Sequence, residues 1–279
     1  MLIRSISGIR GLVNSDLTLK LCRDFAIAIN QLIPDGVIMI CRDTRPSGEE
    51  ILENVSDQLR KCGRNVISLG IAPTPTIQYM VQTTEAQGGI VITASHNPIE
   101  WNGLKMIIDG KGVNEKQLET VMSEQTPSKS EIGKEHKIES DYIDDAVKII
   151  GKIPNLPKVT VDIGGGAASG FSSQLLEKVG CDVITINEGE KNPRGPDPTA
   201  DALKDLVSNT ENRDIGFAFD LDGDRLVIVI NGEKKNPDVT LGMGVVKALE
   251  LGCKNFVLSQ DTSTSVETVS YTHLTLPTI

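Results

Sequence analysis

Between two apolar runs, Asp220, Asp222 and Asp224 alternate with Leu221 and Gly223 and are followed at once by Arg225. Three carboxylates so close repel one another unless a cation sits among them, and hard oxygen ligands beside a flexible glycine suit Mg²⁺ better than a soft metal. A calcium EF-hand would need Gly where Arg225 stands and Glu where Asn231 stands, so that reading fails. An aspartyl phosphatase, whose paired aspartates also follow a strand, stays open, although Asp224 takes the place of its threonine. A solvated acidic turn is the plainer alternative.

The second chemical stretch starts in the apolar run 89–93 and delivers Ser95, His96, Asn97 and Pro98, then Trp101 to Lys105. Pro98 and Gly103 keep this segment out of a helix, and loops at strand ends are where reactive side chains gather. Acyl transfer is disfavoured: the G-x-S-x-G elbow is absent, and adjacent Ser95 and His96 project apart if extended. Standing alone, Ser95 and His96 would read as polar turn residues and Lys105 as a surface charge.

Arginines supply the positive charge that a phosphorylated ligand needs. Arg10 lies in a short glycine-bearing segment ending at Gly11, and Arg42-Asp43-Thr44-Arg45-Pro46-Ser47-Gly48 follows an apolar strand and opens a helix. Guanidinium groups on such loops can make paired contacts to phosphate oxygens, with ordinary ion pairing as the competing reading. Gly164-Gly165-Gly166 matches neither a dinucleotide fingerprint nor a P-loop and reads as a tight strand-to-helix turn. The segment 192–199 is turn chemistry.

Composition limits the partners. A net charge of −10 disfavours nucleic acid and anionic membrane surfaces, so any phosphate site must be local. The five cysteines are odd in number, with no C-x-x-C pair, which fits free thiols in a reducing compartment. The first residues are too polar for a signal peptide and no stretch approaches a membrane span, so the expected location is cytoplasmic.

Hydrophobic periodicity predicts helices over 17–32, 47–62, 76–83, 141–150, 201–208 and 241–251. It predicts strands over 37–41, 65–69, 89–93, 159–163, 182–186, 215–219, 226–230 and 255–258. Such alternation argues for an α/β fold: two layered domains of mixed sheets flanked by helices, plus an incomplete third α/β unit. The polar stretch 124–139 reads as a surface connection. Boundaries are expected to give 1–153 as the serine-bearing domain, 154–237 as the aspartate-loop domain and 238–279 as the start of a third.

Taken together, S-G-I-R-G at 7–11, R-D-T-R-P-S-G at 42–48, P-T-P at 73–75, T-A-S-H-N-P at 93–98, N-G-L-K at 102–105 and D-L-D-G-D-R at 220–225 resemble the α-D-phosphohexomutases. That family includes phosphoglucomutase, phosphomannomutase and phosphoglucosamine mutase. The resemblance implies that Ser95 carries a phosphoryl group and that Asp220, Asp222 and Asp224 hold one Mg²⁺ together with an oxygen of that group. It implies further that Arg10 and Arg225 contact the reacting centre, that Arg42 contacts substrate, that Lys105 assists proton transfer and that His96 acts beside Ser95. The implied reaction moves phosphate between C1 and C6 of a glucose, mannose or glucosamine phosphate through a bound 1,6-bisphosphosugar, which also serves as activator. A non-catalytic phosphosugar-binding fragment and a metal-dependent phosphatase are the competing functions. Residues 270–279 depart from the family pattern, and the expectation is a non-native tail on a chain that stops early in the third domain.

Overall fold

The computed structural model describes residues 1–6, 8–114, 116–117, 119, 132–189, 194–258, 262–266 and 268. Ser7, residues 124–131 of the expected surface connection, residues 192–193 of the expected turn and the expected tail at 270–279 lie outside the described residues.

Two sheets organise the chain. The first follows the order β1 (Ile3–Ser5), β2 (Gly8–Leu12), β6 (Trp101–Ile108), β5 (Ala86–Ile92), β3 (Val37–Arg42), β4 (Val66–Ile71) and β8 (Glu135–Lys137), with the short β7 (Lys111–Gly112) beside β6. The strands β3, β4 and β5 run parallel, whereas β6 and β2 are antiparallel to their neighbours. Because strand side chains alternate in direction, Ile38 and Ile40 enter one core with Ile90, Ile92 and Leu104, while Met39, Cys41 and Val91 enter the core on the other face.

Helices cover both faces, as a parallel sheet requires. The helix Leu19–Leu32 starts where the Thr18 hydroxyl accepts from the Leu21 amide at 3.2 Å, and it buries Cys22, Phe25, Ala26 and Ile29 at helical spacing. The helix Gly48–Lys61 has Glu49 and Glu50 in its first turn and Arg60 and Lys61 in its last, matching its dipole, and buries Ile51, Leu52, Val55 and Leu59. The opposite face is covered by the helix Thr74–Thr83.

The second sheet has the order β10 (Asp182–Ile186), β9 (Lys158–Asp162), β11 (Ile215–Phe219), β12 (Leu226–Ile230) and β13 (Glu233–Lys234). Its first three strands are parallel and the last two antiparallel. Val159, Val161 and Ile163 pack with Leu175 and Leu176 of the helix Phe171–Val179, and Ala218, Val227 and Val229 pack with Leu206 of the helix Lys204–Thr210. Val147 of the helix Tyr142–Ile150, which precedes the expected boundary, joins this second core, and its Asp145 accepts a 2.7 Å hydrogen bond from Tyr79 of the first unit. The mixed α/β architecture is therefore as the periodicity predicts.

Two local expectations are corrected. Residues 101–105 are not loop but the start of β6, because Gly103 lets the strand lie flat against β2, where Arg10 is its register partner. Residues 255–258 form no strand: they have no pairing partner among the described residues, and Val257 is fully exposed. The last long helix, Pro237–Glu250, starts earlier than periodicity predicts, where the Asn236 side chain accepts from the Asp238 amide at 2.9 Å. Among the described residues no helix is long and apolar enough to cross a membrane.

Candidate active site

Loops at the carboxyl ends of parallel strands converge where the two sheets face each other, the usual place for a ligand crevice in such sheets. The first sheet contributes Asp43–Ser47 after β3 and Thr93–Pro98 after β5, and the second contributes Gly164–Gly166 after β9 and Asp220–Arg225 after β11.

Ser95 is buried and sits in the left-handed region at φ 53°, a conformation costing roughly 1–2 kcal/mol for a residue with a Cβ. Its amide donates to Thr93 Oγ1 at 2.8 Å, and its hydroxyl donates across the interface to Asp220 Oδ2 at 3.2 Å. His96 Nδ1 is 3.4 Å from the same hydroxyl. Burial lowers the His96 pKa, Arg225 and Arg10 adding to the effect and Asp197 opposing it. Asp197 is fixed by the Thr199 amide and hydroxyl at 2.9 and 2.7 Å.

One oxygen from each of Asp220, Asp222 and Asp224 lies within 4.8 Å of the others. Lys105 reaches this group from β6, with Nζ at 2.5 Å from Asp222 Oδ2 and 2.6 Å from Asp224 Oδ2. Burial alone would lower the Lys105 pKa, but these two carboxylates raise it. Asp220 is pushed well up, first by burial and then by the charges of Asp222 and Asp224. Asp222 is held down despite burial by Lys105 and by hydrogen bonds that include Thr74.

The aspartate loop is anchored to the first unit by residues to which sequence reasoning assigned no role. Thr74, in the quoted P-T-P segment, donates its hydroxyl to Asp222 Oδ2 at 2.7 Å and its amide to the Asp222 carbonyl at 2.8 Å. The triple-glycine turn supports the loop from below: a Cβ on Gly166 would stand 2.9 Å from the Asp220 carbonyl oxygen, and Ala167 donates to the Leu221 carbonyl at 2.8 Å. Thr44 donates to the Gly165 carbonyl at 2.5 Å, closing the other side of the interface.

The arginines divide. Arg10 donates to Asn97 Oδ1 at 3.2 Å within the field of Asp222, Asp224 and Arg225, and burial lowers its pKa against the pull of those aspartates. The Arg225 amide donates to Asp220 Oδ1 at 3.1 Å. Arg42 donates to the Asp43 carbonyl at 3.1 Å and lies 3.8 Å from Glu49. Arg45, expected among the phosphate ligands, is fully buried, with its guanidinium committed to protein oxygens. Arg194 is a clamp within the second unit, donating to Asp162 Oδ2 at 3.0 Å and to the Phe219 carbonyl at 2.5 Å.

The donor set fits a hard divalent cation: all ligand atoms are carboxylate oxygens, and Asp222 Oδ1 is buried without a hydrogen-bond partner. A buried serine hydroxyl against Asp220, one of three clustered carboxylates with arginine and lysine around them, is an arrangement compatible with phosphoryl transfer on an α/β scaffold.

The chain belongs to the phosphoglucomutase/phosphomannomutase family of phosphohexomutases: "Phosphoglucomutase/phosphomannomutase, alpha/beta/alpha domain I" matches residues 2–131 and domain II of the same family matches 140–233. It is 40% identical over 242 residues to a "Probable phosphoglucosamine mutase" of Methanosphaera stadtmanae, covering 80% of this chain and 53% of that one. It is 32% identical over 248 residues to a "Phosphomannomutase/phosphoglucomutase" of Pseudomonas aeruginosa, covering 80% and 51%. A solved phosphoglucomutase/phosphomannomutase family protein from Burkholderia thailandensis superposes with a TM-score of 0.76 at 28% identity, covering 89% of this chain and 60% of that one. The chain thus spans about half the length of the curated relatives it matches.

Proposed function

We propose that this chain carries the phosphoserine and metal-binding half of a hexose-phosphate mutase, acting on glucose, mannose or glucosamine phosphates. The observation that carries the reading is the 3.2 Å contact of Ser95 Oγ with Asp220 Oδ2 across two units whose loops otherwise share no sequence neighbourhood. Asp220, Asp222 and Asp224 would hold Mg²⁺, which when bound neutralises charge on the transferring phosphoryl oxygens.

In this reading the phosphoserine P–O bond breaks as a bond forms to a sugar hydroxyl oxygen. The hydroxyl proton leaves, and Ser95 Oγ takes one up. Lys105, kept protonated by Asp222 and Asp224, would be the proton source for this transfer from its place beside the aspartate loop. Arg10 and Arg225 offset charge on the phosphoryl group, and Thr74 keeps the aspartate loop in register with Ser95. Return of the other phosphate from the 1,6-bisphosphosugar to Ser95 completes an isomerisation.

The test is incubation with Mg²⁺ and glucose 1,6-bisphosphate, followed by phosphopeptide mapping, with Ser95→Ala as control. Phosphate on Ser95 that vanishes in the variant is the expected result. Absence of label on the parent chain overturns the reading, and steady release of free phosphate replaces it with a phosphatase.

A further inference from the structure

We infer that Arg45, together with Asp43 and Thr93, is a positioning device for Ser95. The inference rests on the phosphoserine reading for its consequence in catalysis, but its geometry stands independently.

The Ser95 peptide is tied on both sides. On its amide side, Ser95 N donates to Thr93 Oγ1 at 2.8 Å, and that hydroxyl donates to Asp43 Oδ2 at 2.6 Å. On its carbonyl side, Arg45 Nη2 donates to Ser95 O at 2.7 Å, and Arg45 Nε returns to Asp43 Oδ2 at 3.1 Å. The hydrogen bonds thus form a closed ring through the serine's own backbone. The same guanidinium gathers the carbonyls of Asn97, Pro98 and Trp101 at 2.7, 2.5 and 2.9 Å, drawing the rest of the loop around one buried cation. A planar guanidinium presents its donors in a fixed fork, which a lysine cannot reproduce.

Phosphate binding by Arg45 is ruled out by the same geometry, since every nitrogen of the group faces protein oxygen and the side chain has no exposed surface. A role confined to stability is also a poor account. The ring closes on the one residue held at positive φ whose hydroxyl faces Asp220, and its three side chains come from the ends of β3 and β5, the strands that deliver the loop. Releasing either arm lets the Ser95 peptide relax toward the extended region and carries Oγ away from the aspartates.

Arg45→Lys keeps the charge opposite Asp43 but loses the fork, and Thr93→Val removes only the amide-side link. Folding is monitored by circular dichroism, so Thr93→Val decides the matter if Arg45→Lys does not fold. Both variants are expected to slow single-turnover phosphorylation of Ser95 by glucose 1,6-bisphosphate about 100-fold, with its dissociation constant moving less than about threefold. The Ser95 ¹³Cα and ¹³Cβ shifts of the unphosphorylated protein are expected to leave the left-handed range in both. Parent-like phosphorylation rates in folded variants overturn the proposal. If the parent chain takes no label, the phosphoserine reading falls, and the shifts alone decide the positioning role: unchanged shifts overturn it.

Discussion

Lys105 is the residue whose position has the sharpest consequence. Its ammonium group lies against two of the three carboxylates that would hold a divalent cation, so cation binding must push it aside or bear its repulsion. Like charges a few ångströms apart in a partly screened site repel by several kcal/mol, and a flexible lysine stem relieves most of that. We therefore expect Lys105→Met to tighten Mn²⁺ or Mg²⁺ about tenfold at pH 8, read by titration calorimetry without any turnover. Weaker binding would show instead that Lys105 organises the aspartates. Thr74→Val works in the opposite direction. Loss of a hydroxyl that donates to a buried, charged Asp222 should cost about 1.5–3 kcal/mol, measured as a lower denaturation midpoint.

At the level of elements, β6 explains why some of the site was legible in the sequence and some was not. Ser95, the aspartates and Arg10 stand in segments whose residue types single them out as candidates, and the structure brings them together. The sequence places Lys105 in a loop because Pro98 and Gly103 keep the segment out of a helix, whereas Gly103 is what allows the strand. A Cβ there would stand 2.2 Å from the Ile9 carbonyl oxygen and 2.9 Å from that of Thr93. Gly103→Ala must push β2 away from β6 and carry Arg10, its register partner, with it. The expected cost is about 2–4 kcal/mol, a fall in Tm of roughly 5–15 °C by calorimetry. The division of labour between Arg42 and Arg45 was not legible at all. Both follow the same strand, and which guanidinium is buried depends on carbonyls some fifty residues away that only the fold brings near. The strand expected at 255–258 fails for a related reason: an apolar run becomes a strand only where an edge exists to pair with it.

Across the whole molecule, the thiols report whether both units are closed. Cys22 and Cys41 are buried in the first unit and Cys181 in the second, Cys62 is also buried, and Cys253 is exposed. A thiol reagent should therefore modify one of five cysteines quickly in the native protein and all five in denaturant. Burial also couples these groups to pH. The Cys22 thiol is pushed from 9.0 to about 12, and burial pushes those of Cys41 and Cys181 up as well. Below pH 9 the folded and unfolded chains both keep the Cys22 proton, and this residue adds no pH dependence. Between pH 9 and about 12 the unfolded chain releases that proton while the folded chain retains it, so folding stability falls as pH rises. At pH 10.5 the Cys22 contribution alone is a loss of about 2 kcal/mol relative to pH 8. Denaturation midpoints taken from pH 8 to 10.5 should show this decline, and Cys22→Ala should be less stable at pH 8 yet decline less steeply. An equally steep alkaline decline in that variant would mean that Cys22 is open to solvent and that the helix Leu19–Leu32 does not cover the first sheet as its apolar face requires.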